Sequence, residues 1–341
     1  MSAQAGMRET NVMIEPPALN ATNVLQVHGL NLYLDAKGRR LHVVRSVDID
    51  LAASEVLGLI GESGSGKTMT GLSLLRLEPE RAQITAETMR LDDTDLLAAS
   101  QGALRGLRGS RIAMIFQDPV GAFNPAKRIG WHAREVLRRR ATRAGPWRPV
   151  ARELLAEVDI ADADRVLGSY PHQLSGGMLQ RVLIALVLAA EPQVIIADEP
   201  TTNLDNIVEQ QILRLFRKVK RTHGAAFIFI THDMSVAAAL SDRIAVMYAG
   251  EIVEVGPTEA VFETPKHPYT VGLIRTSRAL QDGAARLPEI AGELPGLSGQ
   301  RTGCAFAPRC PERMPQCTTR TVGMARPAPG VQARCLLYAD A

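Results

Sequence analysis

Residues Gly61 to Thr68 read Gly-Glu-Ser-Gly-Ser-Gly-Lys-Thr and match the pattern G-x-x-x-x-G-K-[ST]. In such a loop successive main-chain N–H groups point inward to enclose a phosphate, and the N-terminus of the following helix adds positive potential. Gly61, Ser63, Gly64, Ser65 and Gly66 are assigned to this cradle, with glycines expected because a side chain would block the phosphate. Lys67 is expected to reach the β- and γ-phosphates of a nucleoside triphosphate, and the Thr68 hydroxyl to ligate magnesium.

Further along, the apolar run Gln193 to Ala197 ends in Asp198-Glu199. A strand-terminal aspartate can hold magnesium through water, and the residue after it can orient the water that attacks the γ-phosphate. By itself an Asp-Glu pair after a strand is most often a solvated loop; its meaning comes from the phosphate loop upstream. Leu174 to Arg181 precedes an apolar helical stretch, so Ser175 reads as a helix cap, and Gly176 and Gly177 would leave the first amides open to an anion. Gln117 follows one predicted strand and His232 another.

The elements that must position these groups are read from periodicity. Val24 to Leu34 and Leu41 to Leu51 are strand-like, with Lys37-Gly38 as a turn, and Val47, Ile49 and Leu51 alternate with polar neighbours. Val56 to Ile60 runs straight into the glycine loop, and Met69 to Leu77 has helical composition. Arg111 to Phe116, Gln193 to Ala197, Ala226 to Ile230 and Arg243 to Tyr248 read as buried strands separated by helix-length segments, which implies an α/β fold with a mainly parallel sheet. The ligand edge of such a sheet is its carboxyl end, where Asp198 and Glu199 fall. Between Asp118 and Gln173 the sequence turns charged and helix-favouring, as in Trp131 to Arg143, which predicts a helical insertion; its Arg138-Arg139-Arg140 run reads as a solvated helix face or a phosphate patch. From Pro265 onward nine prolines break the pattern, predicting a separate, loop-rich appendix.

With 39 basic against 36 acidic side chains the net charge is +3, so no general field favours nucleic acid as partner. Met1 to Asn23 lacks the unbroken apolar core of a signal peptide, and the chain is expected to stay in the cytosol. The longest run of Ala, Val, Ile and Leu, Val182 to Ala190, is far short of the roughly 20 residues a membrane span requires. The four cysteines, Cys304, Cys310, Cys317 and Cys335, are spaced C-x5-C-x6-C-x17-C. A cytosolic poise favours a metal or cluster over disulfides, and unligated buried thiols are the other reading.

Over about Val24 to Pro257 the sequence resembles the nucleotide-binding subunit of ATP-binding cassette (ABC) transporters. Gly61 to Thr68 is similar to the Walker A motif, Ile115 to Pro119 to the Q-loop, Leu174 to Arg181 to the signature motif, Val194 to Glu199 to Walker B, Thr202 to Asp205 to the D-loop and Thr231-His232-Asp233 to the switch histidine. The resemblance implies a RecA-like P-loop NTPase core with an N-terminal antiparallel β subdomain. It assigns Glu199, His232 and Gln117 to catalysis, Gln117 and Asp198 with the phosphate loop to ATP and magnesium, and Asp205 to the D-loop. Ser175, Gly176, Gly177 and Gln180 would serve a nucleotide held by a facing subunit. Residues 24–264 form the expected ATPase domain, with the helical insertion at about 119–175, a flexible tail at 1–23 and the cysteine-bearing region at 265–341.

Tyr170 to Met178, His267-Pro268-Tyr269-Thr270 and Cys304 to Pro311 resemble, more narrowly, the oligopeptide, dipeptide and nickel importer branch. That resemblance implies a peripheral subunit on the cytoplasmic face of the membrane. Its implied partners are a second, non-identical ATPase subunit, two transmembrane permease subunits and an extracytoplasmic solute-binding protein, with no nucleic acid. It also favours a four-iron, four-sulfur cluster on the four cysteines over zinc. An ATPase working on nucleic acid or ribosomes is the alternative. Leu34 stands where the family usually stacks an aromatic ring on adenine, with Tyr33 on the opposite strand face; Asn203 and Leu179 are further departures.

Overall fold

The computed structural model describes residues 23–36, 38–139, 146–202, 204–284, 288–299 and 301–339. The expected N-terminal tail up to residue 22, Lys37, Arg140 and Asn203 lie outside the described residues. No helix among those described is long and apolar enough to cross a membrane.

The first two strands, β1 (Asn23–Ala36) and β2 (Arg39–Ala52), form an antiparallel hairpin with Leu25 opposite Leu51 and Val27 opposite Ile49. Three short strands, β4 (Ala82–Thr85), β5 (Thr88–Leu91) and β6 (Thr94–Asp95), complete this small sheet against β1 and one another. The large sheet contains β3 (Val56–Ile60), β7 (Ile112–Ile115), β8 (Val194–Asp198), β9 (Ala226–Thr231) and β10 (Arg243–Tyr248), parallel in the order β10-β3-β9-β8-β7. Strands β3, β7, β8 and β9 are buried at every position, as strands covered on both faces must be.

Helices α1 (Lys67–Leu74), α6 (Gly176–Ala189), α7 (Asn206–His223) and α8 (Met234–Leu240) belong to the body around this sheet, and α2 (Gln101–Leu107) leads into β7. The predicted insertion is helical: α3 (Ile129–Arg138), α4 (Trp147–Glu157) and α5 (Ala163–Gly168) share one apolar cluster with α6, α7 and the sheet. A second cluster fills the space between the two sheets.

Around Pro265 the regular elements thin out, and the region beyond it is loop-rich as expected, with one long helix, short 3-10 turns and a small hairpin. Strand β11 (Glu251–Pro257) pairs antiparallel with β10, then α9 (Thr258–Glu263) and α10 (Pro268–Gln281) follow, and a hairpin of β12 (Ala325–Ala328) and β13 (Val331–Ala333) joins the large sheet through β11. Pro268 starts α10 rather than breaking it, because the first helical N–H has no partner to lose. Tyr248, Tyr269 and Phe306 bring three aromatic rings together, with centroids 4.6 to 5.4 Å apart, and so fasten this region to β10.

Candidate nucleotide site

Strand β3 ends in the glycine loop, and Gly66 caps α1 in a left-handed conformation, φ 107°. A Cβ on Gly61 would lie 2.1 Å from the Met247 carbonyl oxygen, so here it is the main chain of β10, rather than a phosphate, that demands glycine. The Lys67 Nζ donates to the carbonyls of Gly61 (2.7 Å) and Glu62 (3.0 Å). Burial lowers its pKa, against the opposing pull of Glu199, Asp198 and Glu62. The Ser65 hydroxyl is buried with no partner among the described residues. An anion at this loop would supply both a counter-charge for Lys67 and an acceptor for Ser65, so the donor set fits a phosphate.

Asp198, at the end of β8, is 3% exposed and accepts from the Thr68 hydroxyl at 3.0 Å. Burial raises its carboxyl pKa, the Thr68 bond working against that shift. Thr68 and Asp198 thus offer adjacent oxygens of the kind a hard cation such as magnesium takes. Glu199, the next residue, sits at φ 42°, an uncommon backbone conformation for a residue with a side chain. Its Oε2 accepts from Thr202 Oγ1 (2.8 Å) and Gln117 Nε2 (3.3 Å), and His232 Nδ1 lies 3.3 Å away. Three chain segments therefore converge on one carboxylate oxygen beside the phosphate loop. The Gln117, Asp198, Glu199 and His232 of the sequence reading are brought together with Lys67 and Thr68; Thr202 was missed as a contact of Glu199.

The signature residues form a second group. Ser175 caps α6 by accepting from Met178 N–H at 3.4 Å, and a Cβ on Gly176 would meet nothing nearer than Leu204 Cδ2 at 3.9 Å. Gly177 is not open: its Cβ would come 2.6 Å from Val208 Cγ1 on α7. Gln180 is 1% exposed, so it stands inside the fold and does not present its side chain to a facing subunit. Asp205 caps α7, accepting from Ile207 and Val208 N–H at 3.1 and 3.0 Å. Among the described residues no hydrogen bond or ion pair joins this group to the Lys67–Glu199 cluster.

The model of the family "ABC transporter" matches residues 44–202, and that of the "Oligopeptide/dipeptide transporter, C-terminal region" matches residues 253–317. The "Dipeptide transport ATP-binding protein DppD" of Haemophilus influenzae is 40% identical over 298 residues, covering 86% of this chain and 89% of that protein. The chain belongs to the ABC transporter family. The "Probable D,D-dipeptide transport ATP-binding protein DdpD" of Escherichia coli K12 is 43% identical over 308 residues, 86% of this chain and 90% of its own. Among solved structures, the ATP-binding cassette MJ0796 bound to ADP and Pi superposes with a TM-score of 0.57 at 24% identity, covering 69% of this chain and 98% of that one. The cbiO1 protein of Clostridium perfringens does so with the same score and identity over 77% and 98%. These two share the fold. The chain is thus the ATP-hydrolysing subunit type of an ABC transporter.

In this ABC subunit the C-terminal region touches the phosphate loop, which no local motif announces. Arg309 makes two parallel bonds to Glu62, Nη1 to Oε2 at 2.9 Å and Nη2 to Oε1 at 3.1 Å, and the Tyr269 hydroxyl accepts from Glu62 N–H at 2.9 Å. Leu34, at the position usually aromatic, packs against the apolar cluster between the sheets, while Tyr33 stacks on His42 at 4.2 Å with the Arg40 guanidinium over it.

Cys317 and Cys335 are buried and Cys304 and Cys310 partly so. Every one of the four thiols lies within electrostatic reach of the other three, and burial pushes Cys304 up to about 11. No three His, Cys, Asp or Glu side chains among the described residues are placed to hold one metal ion.

Proposed function

We propose that this chain hydrolyses ATP at the Gly61–Thr68 loop to power import of peptides or a similar small solute, as one of two ATPase subunits on the cytoplasmic face of a membrane transporter. The observation that carries the reading is the convergence of Gln117, Thr202 and His232 on Glu199 Oε2, next to the Thr68–Asp198 pair. The names of the 40–43% identical relatives, both dipeptide transport ATP-binding proteins, support the peptide class.

In this mechanism the loop amides and Lys67 hold the β- and γ-phosphates, and Thr68, Asp198 and Gln117 hold magnesium, which when bound neutralises charge on the phosphate oxygens. Glu199, fixed by its three neighbours, orients the attacking water and takes its proton. His232, with its side chain 58% exposed, can leave Glu199 for the γ-phosphate. Open amides at Ser175 and Gly176 serve the nucleotide of a facing, non-identical subunit, so that loss of the γ-phosphate removes the contact and the pair opens. An apolar groove of about 500 Å³, lined by Phe116, Phe123, Trp131, Val136, Leu183 and Val187, borders Gln117 and is the seat for a permease segment.

Residues 24–264 are the ATPase unit and 265–341 the region that carries Cys304, Cys310, Cys317 and Cys335. Four thiols within electrostatic reach of one another are a donor set that a four-iron, four-sulfur cluster takes, with zinc as the alternative, and the resemblance to the importer branch favours the cluster. Iron and acid-labile sulfide in anaerobically purified protein support this; a colourless zinc protein overturns it. The function itself is tested by ATP hydrolysis after co-expression with the permease subunits. Stimulation by a peptide-loaded solute-binding protein is expected, whereas stimulation by DNA or RNA and none by peptides would overturn the reading.

A further inference from the structure

On the small sheet a pocket of about 610 Å³ opens between the Tyr33–His42 stack, β2 and the segment around Arg301. Its wall carries four guanidinium groups, Arg40, Arg45, Arg301 and Arg334, and one carboxylate, Glu251. Arg45 is 7% exposed, and its Nε has no partner. Its Nη2 reaches only the carbonyls of Leu297 (3.3 Å) and Gly299 (3.4 Å). Among the described residues none of the four arginines forms an ion pair, Glu251 included. Glu251 is within electrostatic reach of Arg45 without pairing with it, and a buried guanidinium with no hydrogen-bonded counter-ion is costly, so the pocket suits an anion from outside. Burial first, and then the nearby Arg45, Arg301 and Arg40, hold His42 down at about 4, against the pull of a backbone hydrogen bond at Val44.

We infer that this pocket binds a phosphate-bearing small molecule. Four planar donors against one acid favour a multiply charged oxyanion over a single carboxylate, and guanidinium forks match phosphate oxygens in pairs. The volume admits a ligand larger than one phosphate, with the Tyr33–His42 stack and the Arg40 guanidinium over it along one wall. The site is distinct from the glycine loop but joined to it. Arg45 N–H donates to the Gly250 carbonyl and Gly250 N–H to the Ser65 carbonyl, both at 2.8 Å, and Arg301 Nη1 donates to Ala249 O at 3.0 Å. This inference stands whether or not the chain works in an importer.

The test is calorimetric titration of the full chain with pyrophosphate, with citrate as the carboxylate comparison at matched ionic strength. Because pyrophosphate also suits the glycine loop, the titration is run in the Lys67→Ala variant as well as in wild type. Binding that survives Lys67→Ala and weakens at least about tenfold in both Arg45→Met and Arg301→Met is expected. Should Arg45→Met fail to fold, Arg301→Met and Arg334→Met give the same reading. Binding lost with Lys67→Ala, binding indifferent to the arginine variants, citrate binding as tight as pyrophosphate, or no binding in the millimolar range would each overturn the proposal.

Discussion

Arg309 and Glu62, 247 residues apart in sequence, form a forked ion pair that ties the C-terminal region to the second residue of the phosphate loop. Arg309 also donates to the carbonyls of Ile290 (2.7 Å) and Ala291 (2.9 Å) and to the Tyr248 hydroxyl on β10 (3.3 Å), so one side chain holds three segments. Replacing it with Met is expected to destabilise the protein by about 2–4 kcal/mol, the range for breaking a largely buried pair and orphaning its acceptors. Urea unfolding of Arg309→Met measures this, and a change under about 0.5 kcal/mol would show the pair to be ornamental.

Glu199→Gln keeps the shape of the side chain and removes its basicity. Turnover is expected to fall about 10²–10⁴-fold, the usual worth of a general base, with ATP affinity within about threefold of wild type. Steady-state hydrolysis alongside equilibrium nucleotide binding separates the two effects. Retention of wild-type rates would remove Glu199 from the reaction.

Gly177→Ala places a methyl against Val208. The intrinsic helix preference of Ala favours the change by up to about 1 kcal/mol, while the clash opposes it by about 1–3 kcal/mol. A net loss of stability is expected, turning into a gain in the Val208→Ala background. Thermal melts of the two singles and the double complete the cycle, and additivity would refute the contact.

His267, the 1% exposed cap of α10, has its pKa lowered by burial to about 3. The unfolded chain takes up a proton there below pH 6.5 while the folded chain does not, so folding stability falls as pH drops from 6.5 toward 3, by about 1.4 kcal/mol per unit. Glu254, which accepts from His267 N–H at 2.8 Å, is shifted up by burial and works in the opposite sense. The His267 share is therefore read as the difference in slope between wild type and His267→Asn, by denaturant unfolding between pH 4.5 and 7. Parallel slopes would contradict it.

Strands β3 and β10 were legible to the residue because each is an apolar run bounded by turn or polar residues, and β8 and β9 to within one. The short strands β4 to β6 were invisible: β4 and β6 have no buried position, β6 is only two residues long, and the single alternation of β5, with Met89 and Leu91 buried, is too short to stand out. The phosphate loop, Asp198 and Glu199 could be read because their chemistry depends on adjacent residues in one turn. Thr202 on Glu199, Val208 against Gly177 and Arg309 on Glu62 could not, since those contacts are made by tertiary packing and leave no spacing to find. Proline density after residue 265 marked the loop-rich region but hid α10, because Pro268 occupies a helix start, where its missing N–H costs nothing.

The hairpin β12–β13 has a bearing on how this chain tolerates shortening. Without it, the outer rim of β11 would present unsatisfied amides and carbonyls to solvent, a template on which another chain can add. A product ending before residue 325 would thus lose more than its last cysteine: it would acquire a sticky border, and self-association would overtake it before any fault in catalysis showed.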